Sequence, residues 1–128
     1  MQLGNFSVSL SVKDIAASRE FYEKLGFHVV GGDQSQKWLV LQNDTATIGL
    51  FQGMFQGNML TFNPGWDRHK QTLKSFDDVR VIQAALESKG VVMLSSADLR
   101  GTGPASIMFT DPDGNVILVD QHVPKPGE

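Results

Sequence analysis

One succession of patterns runs through this sequence twice, and few folds accommodate it. From Phe6 to Lys13, Val8, Leu10 and Val12 alternate with Ser7, Ser9 and Ser11, the period of a half-buried strand whose second face is lined with hydroxyls. Asp14 then caps a helix running to about Leu25, with Ala17, Phe21 and Leu25 at i, i+4 spacing, Tyr22 extending the stripe and Gly26 as the stop. That helix is expected to cover the apolar face of the strand. Three more strand patterns follow at 27–30, 37–41 and 45–51, joined by Gly31-Gly32-Asp33 and Asn43-Asp44. After the Gly53 to Gly57 connector the order restarts. A strand at 59–63 leads through a polar insertion at 64–75 to a helix capped by Ser75 or Asp77, in which Val79, Ile82 and Leu86 lie at helical spacing before Gly90. Strands are then predicted at 91–94, at 105–109 and after the turn at 111–114. The chain reads as one domain over 1–128, built from two β-α-β-β-β modules at about 5–52 and about 58–123.

The last two strands meet in a hairpin from Phe109 to Asp120. Pro112 presets a turn dihedral, Gly114 supplies positive φ, and Asp111 and Asp113 bond nearby amides. Beyond the turn, Val116, Leu118, Asp120 and His122 share one face. A length of 128 residues with 41% hydrophobic content supplies one sizeable core. A net charge of −3 without a block of like charges gives no footprint for nucleic acid or an anionic membrane. The absence of cysteine excludes disulfides, thiolate nucleophiles and Fe–S clusters. The N-terminus lacks the basic and long apolar regions of a signal peptide, which predicts a cytoplasmic protein.

Ser-Val-Lys-Asp-Ile-Ala-Ala-Ser-Arg-Glu-Phe-Tyr-Glu-Lys-Leu-Gly-Phe at 11–27 and Asp-Pro-Asp-Gly-Asn at 111–115 resemble the vicinal oxygen chelate superfamily, the glyoxalase, bleomycin-resistance and extradiol-dioxygenase group. The resemblance covers essentially the whole chain. It implies an α+β fold in which the two βαβββ modules form an open, barrel-like curved mixed sheet, with helices outside and a concave cup inside. It also implies a homodimer. Members with a metal usually place His, Glu or Gln at four positions, so that a divalent ion chelates two adjacent substrate oxygens. Carried onto this sequence, the first falls on Ser7, seven residues before Asp14, and the second on Gly49 in the fourth strand. The third falls on Met59 and the fourth on Leu118, four residues past Gly114. A serine hydroxyl is a poor ligand, glycine and leucine offer none, and a methionine thioether is soft. No metal centre is expected. With no flavin fingerprint and no Gly-rich phosphate loop, no other cofactor is expected either. Drug-sequestering relatives bind a ligand in the cup without a metal and without transforming it.

Strand parity places Ser7, Ser9, Ser11, Thr47, Gly49, Phe51, Thr61, Asn63, Leu118, Asp120 and His122 on the concave side. Sparse hydroxyls and an amide beside apolar and aromatic groups suit a small-molecule pocket, and Gly49 is expected to leave space there. Trp66, Asp67, Arg68, His69 and Lys70 stand in the insertion. They read either as a grip on an anionic or planar ligand or as a solvated loop anchored by Trp66. Arg100, between Leu99 and Gly101, would meet a carboxylate or phosphate. Asp120 and His122, two apart on a strand, form a candidate general-base pair, with a place for His122 at the solvent rim or in a dimer contact as the alternative. Trp38 reads as core or cavity wall, and Met54 and Phe55 as exposed interface residues. Four functions are open: a small-molecule binding protein, a metal-independent isomerase, epimerase or lyase using Asp120 with His122 or His69, a metal-dependent glyoxalase-like lyase, isomerase or dioxygenase whose ligands lie at other positions, and a partner module.

Overall fold

In the computed structural model, residues 1–127 are described. They form two compact units, Ser7–Met59 and a second made of Met1–Phe6 with the chain from Leu60 onward.

The first unit contains β1 (Asn5–Val12, its first two residues in the other unit), α1 (Ile15–Glu23), β2 (His28–Asp33), β3 (Trp38–Asn43) and β4 (Ala46–Gln52). The strand order is β2-β3-β4-β1, antiparallel except for the parallel pair β1 and β4. Asp14 caps α1 as expected, accepting hydrogen bonds from the amides of Ala16 and Ala17. Ile15 of α1 is buried together with Leu39, Leu41 and Leu50 of the sheet, with Leu10, Val12, Tyr22, Phe27, Val29 and Ile48 packed against them. The pairings Leu39 with Leu50 and Leu10 with Leu50 put these side chains on one sheet face.

The helix does not bury the stripe expected of it. Ala17 is exposed, as are Phe21 (56%) and Leu25 (54%). A helix of nine residues has room for one narrow contact line, and Ile15 and Tyr22, seven apart and so nearly in register, occupy it. Phe21, one residue along, is turned outward with its ring edge-on to Tyr22 at 5.2 Å.

The second unit contains β5 (Met59–Asn63, beginning one residue before the unit does), α2 (Val79–Ser88), β6 (Ala105–Thr110) and β7 (Val116–Gln121), with strand order β5-β7-β6. The hairpin is present, running in register from Ala105 opposite Gln121 to Thr110 opposite Val116. In its turn Asp111 accepts bonds from the Asn115 side chain and from the amides of Asn115 and Asp113. Those bonds, the Asn115 side chain first, hold its carboxyl below the usual range. Asp78 caps α2 in place of Ser75 or Asp77; Asp77 accepts the Gln2 amide instead. Val79, Ile82, Ile107 and Val119 form the core.

No strand forms at 91–94. The Val91 amide is spent on the carbonyl of Leu86, closing the end of α2, and the Ala97 amide bonds to the Gln83 side chain. The segment between is thus tied to the helix at both ends and reaches β6 at one bridge, Ser95 to Met108. Val92 (81%) and Leu94 (62%) remain exposed.

A buried polar cluster fixes β7 against α2. Asp78 pairs with Arg80 at 2.9 Å and accepts Gln121 Nε2 at 2.8 Å, while Gln121 Oε1 accepts the Val79 amide at 2.7 Å. Arg80 also donates to the carbonyl of Gly103. Burial pushes the Asp78 carboxyl up, but the bonds from Gln121 and Arg80 together with the Arg80 charge outweigh it and hold the carboxyl below its ordinary range. Because Gln121 is clamped toward the helix, its neighbours Asp120 and His122 are directed to the opposite face.

Candidate functional site

In the first unit, the sheet face turned away from α1 carries Ser9, Ser11, Trp38, Val40, Gln42, Thr47, Gly49 and Phe51, as alternation requires. Ser9, Gln42, Thr47 and Gly49 are buried, and Ser7 is half-buried. Gln42 Nε2 bonds to Thr47 Oγ1 at 3.2 Å across the β3–β4 pair. Polar side chains are therefore ordered against one another beside a row of rings. Trp38 and Phe51 lie within 9° of parallel with centroids 6.5 Å apart, and Phe55 rests on Phe51 at 5.3 Å. Phe55, expected as an exposed interface residue, is half-buried here; only Met54 is exposed.

Gly49 does not leave the space expected of it. A Cβ at this position would lie 2.6 Å from the Phe51 ring, so the ring folds back over the glycine. The i, i+2 spacing on β4 puts both residues on one face, and the missing side chain lets an edge of the ring come over the glycine.

In the second unit, two groups of residues that are far apart in sequence come together. His122 stacks on Trp66 with planes within 3° and centroids 4.4 Å apart, and Lys70 Nζ lies 5.8 Å from the same ring. His122 Nε2 is 3.1 Å from Asp120 Oδ2, with side chains 46% and 35% exposed. A contact so exposed adds little to stability, so it orients the imidazole more than it stabilises the fold. A carboxylate on Nε2 keeps the proton of a neutral imidazole there and leaves Nδ1 as the basic nitrogen.

The insertion is a short, well-bonded hairpin. Trp66 bridges Thr72, its amide donates to the carbonyl of Asn63, and its own carbonyl accepts the Asn5 amide. Asp67 accepts the amides of Gln71 and His69, which hold its carboxyl low, the Gln71 bond first. His69 and Lys70 are exposed. The buried Asn63 donates to the Asp120 carbonyl at 2.9 Å and accepts from Asn5, locking β5 to β7 behind the His122 pair. Thr61 is buried on β5, and Leu118 is half-buried on the Asp120 side of β7. Arg100 stands apart from all of these, 94% exposed and 3.6 Å from Asp98.

The four positions that the resemblance assigns to metal ligands hold a hydroxyl, a ring-covered glycine, a thioether and an aliphatic chain. These residues do not fit a divalent ion with oxygen-chelating chemistry. Among the described residues, no three His, Asp or Glu side chains gather as a ligand set.

Of the rings around Gly49, Phe51 and Trp38 carry a signal in the strand pattern and Phe55 does not. Trp38 shares the face by simple alternation with Val40 and Gln42, a signal present in the sequence. Phe55 lies outside any strand and has none.

Residues 6–119 match the family model described as the Glyoxalase/Bleomycin resistance protein/Dioxygenase superfamily. No curated protein sequence matches the chain. Among solved structures it is similar to a glyoxalase/bleomycin resistance protein/dioxygenase superfamily member from Vibrio splendidus 12B01, at 16% identity and TM-score 0.62, covering 91% of this chain and 97% of that one. It is similar to the Mn(II)-bound glyoxalase from Novosphingobium aromaticivorans at 20% identity and TM-score 0.55, covering 99% of this chain and 40% of that one. It is also similar to homoprotocatechuate 2,3-dioxygenase from Arthrobacter globiformis, at 19% identity and TM-score 0.54, covering all of this chain and 38% of that one. At these identities the likeness is one of fold. No helix among the described residues is long and apolar enough to cross a membrane.

Proposed function

The chain belongs to the glyoxalase/bleomycin resistance protein/dioxygenase superfamily, and from that premise we propose that it binds a small organic molecule through shape and hydrogen bonds, without the metal ion used by many members. One observation carries this reading. The Phe51 ring covers Gly49, at the position where the resemblance places a carboxylate ligand. The same face offers what metal-free binding needs, a wall of rings with a few hydroxyls and amides to set orientation. In this reading the protein is cytoplasmic and works as a homodimer, with no nucleic acid or membrane partner.

Metal loading tests the reading directly. Untagged protein, purified without chelator and offered nickel, zinc, manganese and ferrous iron in turn, is expected to retain far less than one ion per chain by elemental analysis. A tight stoichiometry near one ion per chain would place ligands elsewhere in the chain and return a metal enzyme to the front.

The Asp120–His122 contact favours a second reading, metal-independent proton transfer. If it holds, Asp120→Asn lowers the rate of deuterium exchange at carbons next to the carbonyl of 2-oxo compounds by about 10²–10⁴-fold. Ligand affinity stays unchanged. Equal exchange by wild type and variant, followed by NMR, removes this reading and leaves binding alone.

A further inference from the structure

The connector between β4 and β5 sets a ring of its own against the aromatic row. Phe55 packs on Phe51 with centroids 5.3 Å apart and planes tilted by 48°, and Phe51 lies on Gly49 beside the parallel Trp38, so a phenyl group of the chain itself ends a row of rings. The connector is tied down lightly. Ser11 Oγ donates to the carbonyl of Phe55 at 2.8 Å, and the Ser11 amide donates to Asn58 Oδ1 at 3.1 Å. On either side stand Gly53 and Gly57, with φ of 75° and 77° and no neighbouring atom within 4 Å of where a Cβ would point. These are open, left-handed positions that a glycine takes without strain, as a hinge requires. Met54, next to Phe55, is 51% exposed.

We infer that the Gly53–Gly57 connector is a flap whose Phe55 ring occupies the stacking place of a planar aromatic ligand, and that the ligand binds on Phe51 and Trp38 when the flap swings out on its two glycines. The inference rests on the small-molecule reading given above and names its ligand class. Selectivity for flat rings follows from the site itself. Phe51 is fixed against a glycine and parallel to an indole, a surface that matches a π-face better than a puckered saturated ring. The flap competes with the ligand, because the contact that it makes with Phe51 is the contact that the ligand would make.

The experiment uses the full chain carrying Trp66→Phe, so that Trp38 is the one indole reporting. It is titrated with 2-naphthoate and, as the saturated counterpart of similar size, with decahydronaphthalene-2-carboxylate. Phe55→Ala, which removes the competing ring, is expected to tighten naphthoate binding by about three- to tenfold. Ser11→Ala, which loosens the latch and leaves the ring in place, acts in the same direction and more weakly. Phe55→Leu keeps the apolar bulk without the flat face and gives an intermediate gain, and the saturated probe responds to none of the three. If naphthoate binds and Phe55→Ala leaves its affinity unchanged or weaker, the flap is overturned while small-molecule binding stands. If neither probe binds any variant, both the flap and the binding role of this face are overturned.

Discussion

Replacing Asp78 by alanine is expected to lower the unfolding free energy by about 3–5 kcal/mol at neutral pH, because it leaves the buried Arg80 guanidinium without its counter-charge. The side chains of Asp78, Arg80 and Gln121 are all almost completely buried, and each bond depends on the others. Removing the carboxylate also frees Gln121 Nε2 from one of its two acceptors and leaves α2 without its cap. The effect depends on pH in a direction set by the depressed carboxyl. A group that binds its proton more weakly when folded contributes fully above its unfolded pKa, and that contribution is lost as the pH falls through the folded value. The gap between wild type and Asp78→Ala should therefore be widest at neutral pH and should narrow below about pH 4. Urea unfolding at several pH values measures it. A gap that stays constant into acid would show that the carboxylate is not what stabilises the cluster.

The second large effect is on the other unit. Leu50→Ala is expected to cost about 2–5 kcal/mol, the range for emptying a fully buried leucine site. Leu50 sits on β4 between Gly49 and Phe51 and points the opposite way, into the cluster under α1. Phe51→Ala, on the far face and only half-buried, should cost distinctly less despite removing a larger side chain. The pair tests whether β4 has one structural face and one face available for binding. Thermal and urea unfolding of the two variants decides it, and equal losses would mean that the ring face is core as well.

Much of the fold was legible because it rests on local rules. Asp14 as a cap, the alternation in β1, the hairpin turn at Asp111 to Asn115 and the helical spacing of Val79, Ile82 and Leu86 are each set within a few residues. What failed was decided at longer range. The strand pattern at 91–94 was genuine, but its first amide went to the end of α2. The stripe Ala17, Phe21, Leu25 had correct spacing and the wrong phase, since burial by a short helix is settled by where Ile15 and Tyr22 land on the sheet. In the candidate site, parity correctly placed Asp120 with His122 and Ser9 with Gly49 on shared faces. It could not foresee that Trp66, in an insertion 56 positions away, would stack on His122, nor that Phe51 would close over Gly49. Both outcomes depend on side-chain rotamers and loop paths, to which periodicity is blind.

The arrangement of Phe51 over Gly49 also constrains how these two positions can be changed. A carboxylate introduced at 49 alone collides with the ring, and loss of the ring alone leaves a bare glycine with nothing to ligate. Substitutions at 49 and 51 are therefore expected to be non-additive: a small residue at 51 removes the ring that a side chain at 49 would displace, so the double substitution costs less than the sum of the two single ones.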